Sequence, residues 1–153
     1  DYFSIRMDVQ RDYQIIRGDE NDKYFWIGRG FPYRWIFIYE DDSQHYENPD
    51  KAWQRIERKF DRILNVDIIE YERQLEMVDI NNKKTNKLYG LYGTKTDSSN
   101  PTGGPFISYI FDNNKSNRAL IVSGFVNSPG KNKIFHIKEL EYIIETINLD
   151  ERE

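Results

Sequence analysis

The sequence predicts an α+β domain: a mainly antiparallel sheet of five to six strands with two amphipathic helices on one face. Three observations carry that prediction. Segments 24–27, 35–39, 106–111 and 119–126 are rich in aromatic and β-branched residues and are bounded by Gly, Pro, Asn and Asp, the composition of strands. Two other segments repeat their apolar residues at helical steps. Gly103-Gly104-Pro105-Phe106-Ile107-Ser108-Tyr109, followed by Gly124-Phe125-Val126 and Pro129, reads as a fixed turn feeding a buried strand pair.

In chain order, segments 3–8 and 12–16 are weaker strand candidates, ahead of the firm pair at 24–27 and 35–39. The first helix opens at Asn48, a good N-cap, with Pro49 at the first helical position. Trp53, Ile56, Phe60, Ile63 and Leu64 form its apolar stripe, and Asp50, Lys51, Arg55, Glu57, Arg58 and Asp61 its polar side. Segments 74–78 and 88–94 are further weak strands. The second helix spans about residues 135–147, with Ile137, Leu140, Ile143, Ile144 and Ile147 inward. Turns are expected at 19–22, 28–32, 81–86, 96–104, 112–117 and 127–132.

Strict alternation of apolar and polar residues is poor in the strands. Trp35, Phe37 and Tyr39 point to one face, yet Ile36 and Ile38 point to the other. With both helices on one side, the second face needs another cover: a further domain, a partner or the long loops.

A chain of 153 residues fits one domain with a real core, and it is read as a single α+β domain over residues 1–153. The net charge of −4 argues against general nucleic-acid binding, which needs a concentrated basic footprint. No run approaches the roughly 18 apolar residues of a membrane span. The absence of cysteine removes disulfides, thiolate chemistry and sulfur-based zinc sites. The start at Asp1-Tyr2-Phe3 reads as a processed or excised piece.

Catalytic patterns are sparse, so no enzyme, metal or cofactor is expected. His45 sits in a polar turn and His136 in the opening turn of the second helix, with no motif placing a Ser or Asp beside either. Carboxylates cluster at Asp41-Asp42, at residues 19–22 and at Glu70, Glu72 and Glu76, without calcium-loop spacing. Asp112-Asn113-Asn114 reads as a turn. Gly28-Arg29-Gly30 lacks the third glycine and the following helix of a phosphate cradle. Pro32 interrupts the RNA-recognition pattern in Arg29-Gly30-Phe31-Pro32-Tyr33. Asn114-Lys115-Ser116 matches a glycosylation sequon by near-chance expectation.

The aromatic load, with 3 Trp, 11 Tyr and 9 Phe, supplies the candidate contact residues. Most of Tyr24, Trp26, Tyr33, Trp35 and Tyr39 are expected to fill the core, with a sugar-stacking or peptide-binding surface as the alternative. The surface-lying members of Tyr24, Trp26, Tyr33 and Trp35 are the expected contact residues.

Phe25-Trp26-Ile27, the Ile36-Phe37-Ile38-Tyr39 strand, the 103–109 piece, Gly124-Phe125-Val126 with Pro129, and Leu140-Glu141 with Ile144 keep an order that resembles the domain of unknown function 4837 family. The resemblance covers nearly the whole chain and corresponds to the C-terminal half of a member. Tyr92 stands where the family carries a tryptophan after Gly-Leu, and the family's Pro-Gly segment is absent near residues 64–69. Members look like lipid-anchored envelope proteins of Gram-negative bacteria, without established activity or cofactor. The resemblance therefore implies a periplasmic or outer-membrane-associated domain, held to the membrane only by a lipid anchor outside this chain. The expected function is non-enzymatic protein association, as an accessory lipoprotein subunit of an outer-membrane assembly. The alternative is a glycan- or peptidoglycan-binding module using the same rings. A hydrolase built on paired carboxylates or His136 is the third reading, and it requires a concave pocket enclosing ionisable groups.

Overall fold

The computed structural model describes residues 3, 5–30, 33–95, 103–113, 116–127 and 132–149, with backbone alone at Tyr71. Pro129, Phe31-Pro32, Asn114-Lys115 of the sequon, and most of the 96–104 and 127–132 connections lie outside the described residues.

Among the described residues seven strands form one antiparallel sheet: β1 (Gln14–Asp19), β2 (Tyr24–Arg29), β3 (Tyr33–Asp42), β4 (Val66–Ile80), β5 (Lys83–Thr94), β6 (Gly103–Asn113) and β7 (Arg118–Asn127). Their spatial order is β1-β2-β3-β7-β6-β5-β4, which places the C-terminal hairpin at the centre and β1 and β4 at the edges. The α+β class stands, with more strands than the predicted five to six. Segment 3–8 is not a strand. Its described residues make a bridge in which Arg6 N–H donates to the Asn148 carbonyl (3.1 Å) and Asn148 N–H to that of Arg6 (2.7 Å), and the Asp8 N–H donates to the Thr146 hydroxyl at 2.9 Å.

The helices are α1 (Pro49–Lys59) and α2 (Ile134–Glu145). Asn48 caps α1 as its sequence position predicts, its side chain accepting from the Lys51 N–H at 2.9 Å. A π turn over Phe60–Leu64 extends α1, and Asn65, at φ 57°, ends it in the left-handed conformation that Asn tolerates. Asn81 and Asn82, at φ 50° and 66°, close the β4–β5 hairpin as a two-residue loop.

One expectation is corrected. The helices lie on opposite faces of the sheet. Trp53, Ile56 and Phe60 of the first helical segment pack with Phe37, Tyr39, Phe106 and Phe125. Leu140, Ile143 and Ile144 of α2, with Ile147, pack with Ile36, Ile38, Ile107 and Val122. The alternation of side chains along β3 and β6 explains why both sets are apolar: each faces its own helix. The second face, expected to need a further domain, a partner or the long loops, is instead covered by α2 and by the N-terminal segment, whose Phe3 is buried there.

The glycines opening β6 are part of the strand rather than a turn before it. A Cβ on Gly103 would lie 2.2 Å from the Tyr92 carbonyl oxygen, and one on Gly104 2.1 Å from that of Val126. Close backbone approach is what these positions require. The Tyr92 hydroxyl donates to the same Val126 carbonyl at 3.0 Å.

Candidate association surface

The four predicted contact residues all project from the α1 face of β2 and β3, but they do different things. Trp26 pairs across the strands with Phe37, Tyr24 with Tyr39, and Gly28 with Trp35. Tyr24 is 2% exposed and belongs to the core, so its proposed contact role is corrected. It lies deep because Phe37 packs on it at 6.0 Å, while the Arg17 guanidinium sits 5.7 Å from its ring centre.

The other three emerge at the margin of that core. Trp26 and Trp35 are half-buried and Tyr33 is 46% exposed. The rings of Tyr33 and Trp35 are parallel within 6°, with centroids 6.2 Å apart. Behind them Tyr92 meets Trp35 edge-on at 6.4 Å and Phe125 at 5.2 Å, which ties the surface rings into the core. Gly28 makes room beneath: a Cβ there would lie 2.5 Å from Trp35 Cδ1 and 2.7 Å from Ile16 Cδ1. Ile16, itself 46% exposed, extends the apolar surface onto edge strand β1, whose residues are nearly all exposed. The Trp26 indole N–H is shielded from solvent and meets no acceptor among the described residues, so Trp26 offers its ring rather than its polar edge.

A second exposed apolar group lies on α2, where Ile134, Phe135 and Tyr142 are 63%, 70% and 75% exposed. Helical spacing selected the inner residues of α2 and left these three unremarked. Their apolar character on an outward helix face was the available signal.

The charged candidates are absorbed into structure. Asp41 is buried and accepts from Arg55 Nε at 2.6 Å and from Arg55 NH2 at 3.1 Å. The Tyr46 hydroxyl lies 3.0 Å from both Asp41 Oδ2 and the Tyr39 hydroxyl, completing a buried chain. Burial alone would raise the Asp41 pKa. Hydrogen bonds from Arg55 and the Asp42 N–H, with the charges of Lys59 and Arg55, bring it below the usual carboxylate value. Burial pushes Tyr39 and Tyr46 far upward, so both stay neutral hydroxyl partners. Asp42 caps the short helical turn Ser43–Tyr46 by accepting from the Gln44 N–H. Asp19 accepts from the N–H groups of Asn21 and Asp22 as a turn residue. The ring of His136 packs edge-on against Phe135, and His45 is exposed.

Under α2, Lys87 is 4% exposed and pairs with Glu141 at 3.2 Å, between the rings of Tyr89 and Tyr109. Arg34, also buried, binds Glu139, which Arg29 approaches at 3.6 Å. A cavity of about 440 Å³ opens between α2 and β5–β6 beside Tyr89, Lys138 and Glu141. The carboxylate lining it, Glu141, is the one held by Lys87. Among the described residues no three His, Asp or Glu side chains converge as a metal site requires, and no helix is long and apolar enough to cross a membrane.

These features describe an α+β domain with two closed cores and a margin of surface rings. The family model described as domain of unknown function (DUF4837) matches residues 1–146, so the chain belongs to that family. No curated protein matches it.

Proposed function

We propose that this domain is a non-enzymatic association module of the cell envelope, an accessory lipoprotein subunit of an outer-membrane assembly. The observation that carries the reading is the Tyr33–Trp35 pair, continued by Trp26 and Ile16 at the edge of the sheet. Large rings with rigid backing bind at low entropic cost, and such residues dominate interface energetics. Envelope location rests on the appearance of family members as lipid-anchored proteins. With the second sheet face covered, the contact surface is the aromatic margin of the α1 face.

The test is affinity purification of the full-length protein from native membranes, with wild type compared to Tyr33→Ala and Trp35→Ala. A stoichiometric partner that both substitutions release supports the reading. A partner retained equally by both variants, or a clean monomer, removes it.

The parallel Tyr33 and Trp35 rings also favour a second reading, a glycan-stacking platform. Saturable quenching of tryptophan fluorescence by peptidoglycan fragments, lost in Tyr33→Ala, would select it over protein association.

A further inference from the structure

A cleft of about 250 Å³ lies between the outer side of α1 and the Ser43–Tyr46 turn, lined by Gln44, His45, Lys51, Gln54, Arg55 and Arg58. Lys51, Gln54, Arg55 and Arg58 stand at three- and four-residue steps, which stacks them on one side of the helix. Among the described residues no carboxylate lines the cleft itself, although Glu47 and Asp41 pair with two of its cations and the whole chain is acidic with a net charge of −4. We propose that this cleft is an anion site for a phosphate group, carried by a soluble phosphorylated molecule or by a lipid headgroup.

Arg55 is the fixed element. Asp41 holds its Nε and one terminal nitrogen from behind, and Asp41 is itself held by the Tyr46 hydroxyl and the Asp42 N–H. A guanidinium has five N–H donors, so donors remain for a ligand, on a group whose orientation is already set. Arg58, one turn further on, is exposed and has no ion pair or hydrogen bond among the described residues. Lys51 pairs with Glu47 at 2.9 Å, but both side chains are more than half exposed, and such a pair exchanges readily for a stronger anion. His45 and the two glutamine amides supply further polar groups around the rim.

Three cations around a small polar cleft suit a compact dianion better than a single carboxylate, and Arg and Lys together are the usual phosphate donors. The cluster is confined to one short helix face, which fits one phosphate group and not the extended track of a nucleic acid. The site uses none of the residues of the aromatic surface, so it stands or falls separately from the association reading.

The test follows the arginine side-chain Nε–H signals of the chain by NMR during titration with inorganic phosphate. Sedimentation with phosphatidylcholine vesicles, with and without phosphatidic acid, runs in parallel. Saturable shifts at Arg55 and Arg58 are expected, absent with acetate at equal ionic strength. Arg58→Gln should weaken phosphate about tenfold and Lys51→Gln a few-fold. If phosphatidic acid vesicles are bound and free phosphate displaces the chain from them, the source is a lipid headgroup. If only free phosphate binds, it is a soluble ligand. Both results support the site. No saturable response to either probe overturns it, as does an unchanged affinity in Arg58→Gln or vesicle binding that phosphate cannot displace.

Discussion

The two faces of the sheet carry cores of different chemistry. Beneath α1 the centre is a stack of rings: Phe60 meets Phe125 at 4.9 Å, Phe106 at 5.3 Å and Phe37 at 6.3 Å, all edge-to-face or close to it. Beneath α2 the core is mostly aliphatic, with Ile36, Ile38, Ile107, Leu120, Val122 and Val126 against Leu140, Ile143 and Ile144, and with Tyr109 and Phe111 as its buried strand rings. The outer sides of the helices reverse the contrast. That of α1 is charged, with Lys51, Arg55 and Arg58, whereas that of α2 shows Ile134, Phe135 and Tyr142. At the margin of the α1 face the rings are only partly buried. Trp26, Tyr33 and Trp35 are the ones that α1 does not cover. On the other face α2 closes the core together with the N-terminal segment and the Arg34–Glu139 and Lys87–Glu141 pairs.

Truncating the ring at the centre should break the α1 face first. Phe60→Ala is expected to cost about 3–5 kcal/mol in denaturant unfolding, through lost burial and an unfilled cavity. On the aliphatic face Ile144→Ala should cost about 2–5 kcal/mol by the same measurement. The contrast sharpens in a double-mutant cycle: Phe60 and Phe125 should show a coupling of about 0.5–1.5 kcal/mol, beyond that of Ile144 with Val122.

Asp41→Asn comes next, at about 1–3 kcal/mol, because it removes charge from a buried carboxylate while leaving Arg55 in place. The folded-state pKa of Asp41 lies below its ordinary 3.8. Its contribution is therefore complete above that value and is lost as the pH falls through the folded-state value. Unfolding measured between about pH 5 and 2 should show a shallower acid loss in Asp41→Asn than in wild type. The smallest stability effect is expected at Tyr33→Ala, within about 0.5 kcal/mol, since an exposed surface residue contributes little to the fold. A large destabilisation there would make Tyr33 a packing residue and remove it from the proposed contact surface.

Much of this architecture is legible in the residues. Asn48-Pro49 marks the start of α1 because capping is local chemistry, and the 36–39 run shows two apolar faces because side chains alternate. The placement of the two helices is not legible. The same stripes serve either side of a sheet, and the choice depends on how each helix enters from its neighbouring strands. Edge strands β1 and β4 are faint because exposed edges lack apolar patterning; β1 is exposed at nearly every position. Of the proposed contact residues, aromatic identity pointed to Trp26, Tyr33 and Trp35, but nothing local distinguishes them from Tyr24, whose ring packs against Phe37 beneath the Arg17 guanidinium. The Asp41–Arg55 pair joins residues 14 positions apart across a turn, and neither partner announces the other.

The most direct test of the association reading is site-specific photo-cross-linking in cells producing the full-length protein, with the photoreactive residue placed at Tyr33 or at Tyr142. One discrete adduct from Tyr33 and none from Tyr142 is the predicted result. An adduct from Tyr142 alone would move the contact to the outer side of α2 and contradict the assignment of the aromatic margin.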